Sequence, residues 1–135
     1  MRNLLLISVL ALCAAGAAQA KDYISSPGQA RTYPIDGNLF EVVGKSSQGH
    51  DMWWCGAATY ARRVLGAGWT TPVTIARGLG QSQATGRRSS VQFTLNPSAL
   101  GIQTLKSSFP NSLEVGDTRT VQDGNLSCQR VQMPF

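Results

Sequence analysis

The stretch from Asp51 to Gly66, DMWWCGAATYARRVLG, constrains the fold of this chain more than any other. Its apolar residues recur at the spacing of one helical face, and glycines that end helices follow them. Asp51 is of a type that caps helix N-termini, so we expect the helix to begin there. Several face positions are alanine, which lets a helix lie close to a sheet. The predicted core face comprises Trp54, Ala57, Ala58, Ala61, Val64 and Leu65.

Three segments have the composition or the alternation of β-strands. LFEVVG at residues 39–44 is short, β-branched and aromatic, and TTPVTIARG at 70–78 places two apolar residues on one face. SSVQFTLN at 89–96 alternates apolar and polar residues, which predicts a half-buried strand with Gln92 and Thr94 on the polar side. The last two segments are expected to form a hairpin.

The C-terminal part has weaker signals, and IQTL at 102–105, SLEVG at 112–116 and TRTVQ at 118–122 are each candidates for a short strand. Residues 21–38 show little periodicity and are interpreted as an irregular leader. The order of elements predicts one α+β domain over 39–135, with one amphipathic helix packed on a small, mainly antiparallel sheet.

The N-terminus has the pattern of a secretory signal peptide over residues 1–20. Arg2 precedes an apolar run, which ends in the A-x-A sequence AQA at 18–20. The apolar run is too short to span a bilayer, which needs about 20 residues. Cys13 does not match a lipoprotein signal, because Leu12 precedes it where a small residue is required. We therefore expect a periplasmic or extracellular protein with no membrane span after cleavage.

The net charge and the residue types narrow the range of partners and cofactors that we expect. The whole chain carries a net charge of +5, and removal of Arg2 leaves +4, which is too mild to indicate a nucleic-acid partner. One histidine, two distant cysteines and scattered carboxylates match no metal-ligand spacing, so neither a metal nor a cofactor is expected. The partner itself stays open, with an anionic ligand or surface as one candidate.

Cys55 and Cys128 are the two cysteines left after signal cleavage, and they predict one disulfide. The bond would close a loop of about 74 residues, which in the chain-entropy model contributes roughly 4 kcal/mol. It would also fasten the weakly patterned C-terminal segment to the predicted helix.

A thiol-dependent hydrolase or transferase is the alternative reading of Cys55. The dipole of a helix N-terminus stabilises a thiolate, and WWCGAATYA superficially resembles the cysteine-bearing helix of papain-like peptidases. The resemblance implies a histidine well after the cysteine, whereas His50 is the sole histidine and precedes it. A catalytic pair would need His50 to fold back over the helix start, so we favour a non-enzymatic role.

The loop from Gly78 to Arg88 is the second candidate site. Its glycines, its serine and the adjacent Arg87 and Arg88 could form a backbone nest with guanidinium groups that binds an anion. The competing interpretation is a solvated hairpin loop whose charges aid solubility.

The helix motif W-C-G-A and the strand TGRRSSVQFTL resemble small uncharacterised exported proteins of alphaproteobacteria, over Leu39 to Leu95. The resemblance implies an exported single domain and brings no activity with it. From the sequence we therefore expect an exported, disulfide-stapled α+β domain with a binding or structural role.

Overall fold

The described part of the chain folds into a six-stranded sheet with two helices. The computed structural model describes residues 24–27, 29–45, 49–105 and 113–132. The sheet order is β1-β2-β3-β5-β4-β6, and all neighbouring strands are antiparallel. The elements are β1 (Ile24–Ser25), β2 (Arg31–Asp36), β3 (Leu39–Val43), α1 (Asp51–Arg63), β4 (Pro72–Gly80), β5 (Ser90–Thr94), a 3₁₀ turn (Pro97–Leu100), β6 (Thr118–Thr120) and α2 (Val121–Gln132). The predicted α+β class is confirmed, with one more helix than expected. The predicted signal peptide and residues 21–23 lie outside the described part of the chain.

Helix α1 covers one face of the sheet, as its apolar stripe predicts. The Tyr60 and Phe40 rings lie 4.8 Å apart, and Trp54 meets Phe93 edge-on at 5.2 Å. The helix and sheet backbones come close at Gly56, where an added Cβ would lie 2.5 Å from a methyl group of Val42. Small residues on the helix therefore set its distance from the sheet.

The two ends of α1 differ from the prediction. His50 occupies the N-cap position, without a side-chain cap hydrogen bond, and Asp51 is the first helical residue. The helix ends at Arg63, so Val64 and Leu65 leave the predicted core face and are nearly half exposed. The other four predicted core residues, Trp54, Ala57, Ala58 and Ala61, are buried.

Helix α2 is the element that the sequence did not predict. Its segment VQDGNLSCQRVQ contains a glycine and an asparagine in the interior, both of which weaken helices. The helix packs against α1, where a Cβ added to Gly124 would lie 2.8 Å from that of Ala58. Cys55 and Cys128 are bonded between the two helices with a Cα–Cα distance of 4.7 Å, which confirms the predicted disulfide. Packing and the disulfide thus stabilise a helix that propensity alone does not favour.

The expectation of an irregular leader is wrong for residues 24–25 and 31–36, which form β1 and β2. Pro34 lies within β2, where a proline is tolerated because β1 pairs only with residues 31 and 32 of that strand. Among the described residues of the three C-terminal strand candidates, only Thr118–Thr120 form a strand, and Leu105 contributes an isolated bridge. Residues 106–112, which include the start of SLEVG, lie outside the described ranges.

Strands β4 and β5 form the predicted hairpin, but β5 is buried on both faces. Gln92 and Thr94, expected to be solvent-facing, are buried together with the rest of the strand. The connecting segment, residues 81–89, hydrogen-bonds to the sheet face that α1 leaves uncovered, and this places the candidate site there. No helix within the described ranges is long and apolar enough to cross a membrane.

Candidate functional site

A buried carboxylate organises the sheet face opposite the helices. Glu41 lies on β3, directly across from Gln92 of β5, and has no solvent exposure. Its two oxygens accept hydrogen bonds from the Ser82 hydroxyl, from the amides of Gln83 (3.1 Å) and Ala84 (3.0 Å), and from Gln92 Nε2 (3.2 Å). The carboxylate therefore joins the connecting segment to the middle of the sheet.

The surroundings of Glu41 favour its charged form. Burial by itself raises the pKa of a carboxyl group, since it removes water from the charge. The hydrogen bonds from Ser82, Ala84, Gln92 and Gln83 outweigh that effect, and the pKa of Glu41 lies below its ordinary value. The group is thus an ion at neutral pH, held by four donors.

This arrangement corrects the predicted nest in the loop from Gly78 to Arg88. Strand β4 continues to Gly80, so the loop proper is shorter, at residues 81–89. Two of its backbone amides, those of Gln83 and Ala84, donate to Glu41. The anion that these amides bind is the protein's own carboxylate, and they serve to anchor the loop.

Arg77 fastens the two ends of the same loop. One guanidinium nitrogen donates to the Gln81 carbonyl, and the other donates to the Ser90 carbonyl at 3.1 Å and to its hydroxyl at 3.0 Å. Within the loop, the Ser82 amide donates to the Arg87 carbonyl at 2.6 Å. The segment therefore has a defined shape, unlike a freely solvated hairpin loop.

A cleft of about 630 Å³ lies beside residues 81–89. We call this segment the anchored loop, because Glu41 and Arg77 hold it against the sheet. Cross-strand register places Arg31 and Tyr33 of β2 on the same sheet face as Val43 and Glu41 of β3, so the cleft shares this face with the Glu41 network. Its lining residues are Ser25, Ser26, Gln29, Arg31, Tyr33, Val43, Gly44, Lys45, Thr85 and Arg87. Three of these described residues are cations, and none is a carboxylate.

The three cations come from three parts of the chain. Arg31 lies on β2, Lys45 follows β3, and Arg87 belongs to the anchored loop. The Lys45 ammonium donates to the Gln29 side-chain oxygen at 3.4 Å. Gln29 has a φ of 63°, a left-handed conformation that is uncommon for a residue other than glycine. A concave surface with three cations concentrates positive potential where an anion would sit.

The structure separates the two arginines that the sequence paired. Arg87 lines the cleft, whereas Arg88 is exposed and is not among the lining residues. Only one of the two arginines therefore reaches the cleft. Binding of an anion by Arg87 stays a prediction.

The thiol-enzyme alternative is not compatible with this structure. Cys55 Sγ is bonded to Cys128 Sγ, so it offers no thiolate to a substrate. His50 stands at the start of α1, where its carbonyl accepts the Trp54 amide at 3.4 Å. Among the described residues, no group of three potential metal ligands comes together.

Sequence reasoning missed Glu41, Arg77, Arg31 and Lys45. A signal was available for Glu41, because a lone carboxylate inside the apolar run LFEVV must either face solvent or find partners in the interior. The other three are ordinary surface cations by sequence, and only the fold brings them to one sheet face.

Comparison with known protein families, curated proteins and solved structures found no significant match to this chain. The functional argument therefore rests on the geometry of the cleft.

Proposed function

We propose that the protein is an exported, disulfide-stapled binding domain that takes an anionic ligand in the cleft beside the anchored loop. The observation that carries the proposal is the lining of the cleft by Arg31, Lys45 and Arg87 without a carboxylate among its described residues. A cavity of about 630 Å³ falls within the usual range of ligand sites, about 300–1,000 Å³.

The construction of the cleft supports binding over a purely structural role. The Glu41 carboxylate and the Arg77 guanidinium together anchor the loop that carries Arg87. An anchored loop limits the ordering cost of binding, because less conformational freedom is lost when the ligand arrives. A guanidinium can donate two parallel hydrogen bonds to a carboxylate or phosphate.

Export is supported by separate observations. The first 20 residues have the three parts of a secretory signal, and two cysteines of the remaining chain form a disulfide. Disulfides persist in oxidising compartments such as the periplasm or the extracellular space. The resemblance of residues 39–95 to small exported proteins of alphaproteobacteria points the same way.

The test compares two arginines that share a loop and a charge. Protein spanning residues 21–135, purified from the periplasm, is titrated with sodium pyrophosphate by calorimetry at low salt. Arg87→Ala should weaken binding about 5- to 10-fold, and added salt should weaken binding by the wild type. Arg88→Ala should leave the affinity within about twofold, because the lost charge lies outside the cleft. Equal affinities of both variants and the wild type would contradict the proposal.

A further inference from the structure

We propose that the ligand of this cleft is a small oligoanion, a molecule with at least two anionic groups that spans from strands β2 and β3 to the anchored loop. This inference rests on the proposed function and specifies the class of ligand.

The first argument is the separate origin of the cations. Arg31 and Lys45 belong to the sheet side of the cleft, and Arg87 belongs to the loop side. A single inorganic phosphate fills only a small part of a cavity of about 630 Å³, which is large enough for a drug-sized molecule. A ligand that fills the cleft therefore meets both sides.

The second argument is that the cations are held by different partners. Lys45 Nζ is hydrogen-bonded to Gln29, which belongs to the turn between β1 and β2. The Arg87 backbone is held through Ser82, whose hydroxyl donates to Glu41. Convergence of Lys45 with Arg87 on one anion would compete with the hydrogen bond from Lys45 to Gln29. Two anionic groups on one molecule satisfy both sides in place.

The third argument is the neutral part of the lining. Ser25 and Thr85 contribute hydroxyl groups, and Tyr33 contributes an aromatic ring. These groups can donate to and accept from a polar scaffold that connects the anionic groups. Acidic oligosaccharides and polyphosphorylated small molecules share this chemistry. A flat bilayer surface would not reach the bottom of a concave site.

The experiment titrates the domain, residues 21–135, with three probes at one ionic strength: inorganic phosphate, tripolyphosphate and a trisulfated disaccharide. The variants are Lys45→Gln, Arg87→Gln, the double variant, and Arg88→Gln as the matched control. At least one oligoanion should bind about tenfold or more tightly than phosphate. Each single variant should weaken that oligoanion about 5- to 10-fold, and the double variant by about the product of the two losses. The stronger of the two oligoanions identifies the scaffold that the neutral lining prefers.

Two results would separate the inference from the proposed function. If phosphate binds as tightly as both oligoanions, or if Arg87→Gln weakens the oligoanion and Lys45→Gln does not, the cleft binds a single anion and this inference fails alone. If no probe binds, or if Arg88→Gln has the same effect as Arg87→Gln, the proposed function fails as well. Binding to phosphatidylglycerol vesicles without binding to soluble oligoanions would overturn the inference in favour of a membrane surface. Lys45 and Arg87 are exposed, so thermal melting should show that all variants fold.

Discussion

Replacement of Glu41 by Gln tests the carboxylate that anchors the loop to the sheet. The wild-type side chain accepts four hydrogen bonds, two of them from loop amides. Gln retains one acceptor oxygen, and its NH₂ group would face the two donors of the replaced oxygen, so up to two of the four bonds are lost. A hydrogen bond to a charged group contributes about 1.5–3 kcal/mol net, which gives about 3–6 kcal/mol for two.

Part of that loss is offset, because Gln needs no desolvation of a charge. We therefore expect the free energy of unfolding at pH 7 to fall by about 2–4 kcal/mol, a large part of a typical stability of about 5–15 kcal/mol. Urea unfolding followed by tryptophan fluorescence measures it, since Trp53 and Trp54 are buried. Asp36→Asn is the control, because Asp36 is exposed and accepts the Asn38 amide at 2.8 Å, which Asn can also do.

The pH dependence gives the same prediction a second readout. The pKa of Glu41 is lowered in the folded protein, so its ionisation stabilises the fold fully above the unfolded pKa of about 4.3. That contribution is lost as the pH falls through the lower, folded value. The Gln variant does not titrate at this position, so the difference between wild type and variant should shrink towards zero at acid pH. A difference below about 0.5 kcal/mol at pH 7, or one that is unchanged at pH 3, would refute the reasoning.

Three other predictions concern processing and packing. Intact-mass analysis of the exported protein should show a mature chain that begins at Lys21, and a retained N-terminal segment or a lipid would contradict the signal-peptide interpretation. Ala61→Phe should reduce stability by about 1–3 kcal/mol through overpacking of α1, whereas Val64→Phe, at a position that is 48% exposed, should have little effect in the same urea titration. Gly124→Ala should destabilise the protein although alanine favours helices, because the new methyl group would lie 2.8 Å from Ala58 Cβ. A higher melting temperature of this variant would show that α1 and α2 can move apart at no cost.

Local sequence patterns predict much of the fold. The apolar period in residues 51–63 predicts α1 because the helix buries one face against one layer. The runs that became β3, β4 and β5 are short, β-branched and bounded by turns. The Cys55–Cys128 pair follows once Cys13 is assigned to the predicted signal peptide, since the two remaining cysteines allow only one bond within a chain.

The elements that the sequence did not predict share one physical cause: residues distant in the sequence stabilise them. Helix α2 has weak propensity and forms against α1, to which Cys128 is bonded 73 positions after Cys55. Strand β2, RTYPID, is polar on both sides, because Thr32 faces α1 and Arg31 lines the cleft, so the segment lacks the alternation of an ordinary half-buried strand.

By itself, the sequence determined the class of the fold, its first helix, its central hairpin and its disulfide, because each depends on a local period or a count. Only the tertiary structure brings the residues of the candidate site together. Glu41 meets its loop donors across 41 to 43 positions, and Lys45 lies 42 positions before Arg87 in the same cleft. No local pattern encodes such pairs, since they exist only because β5 pairs with β3 and turns the loop between β4 and β5 over the uncovered face of the sheet.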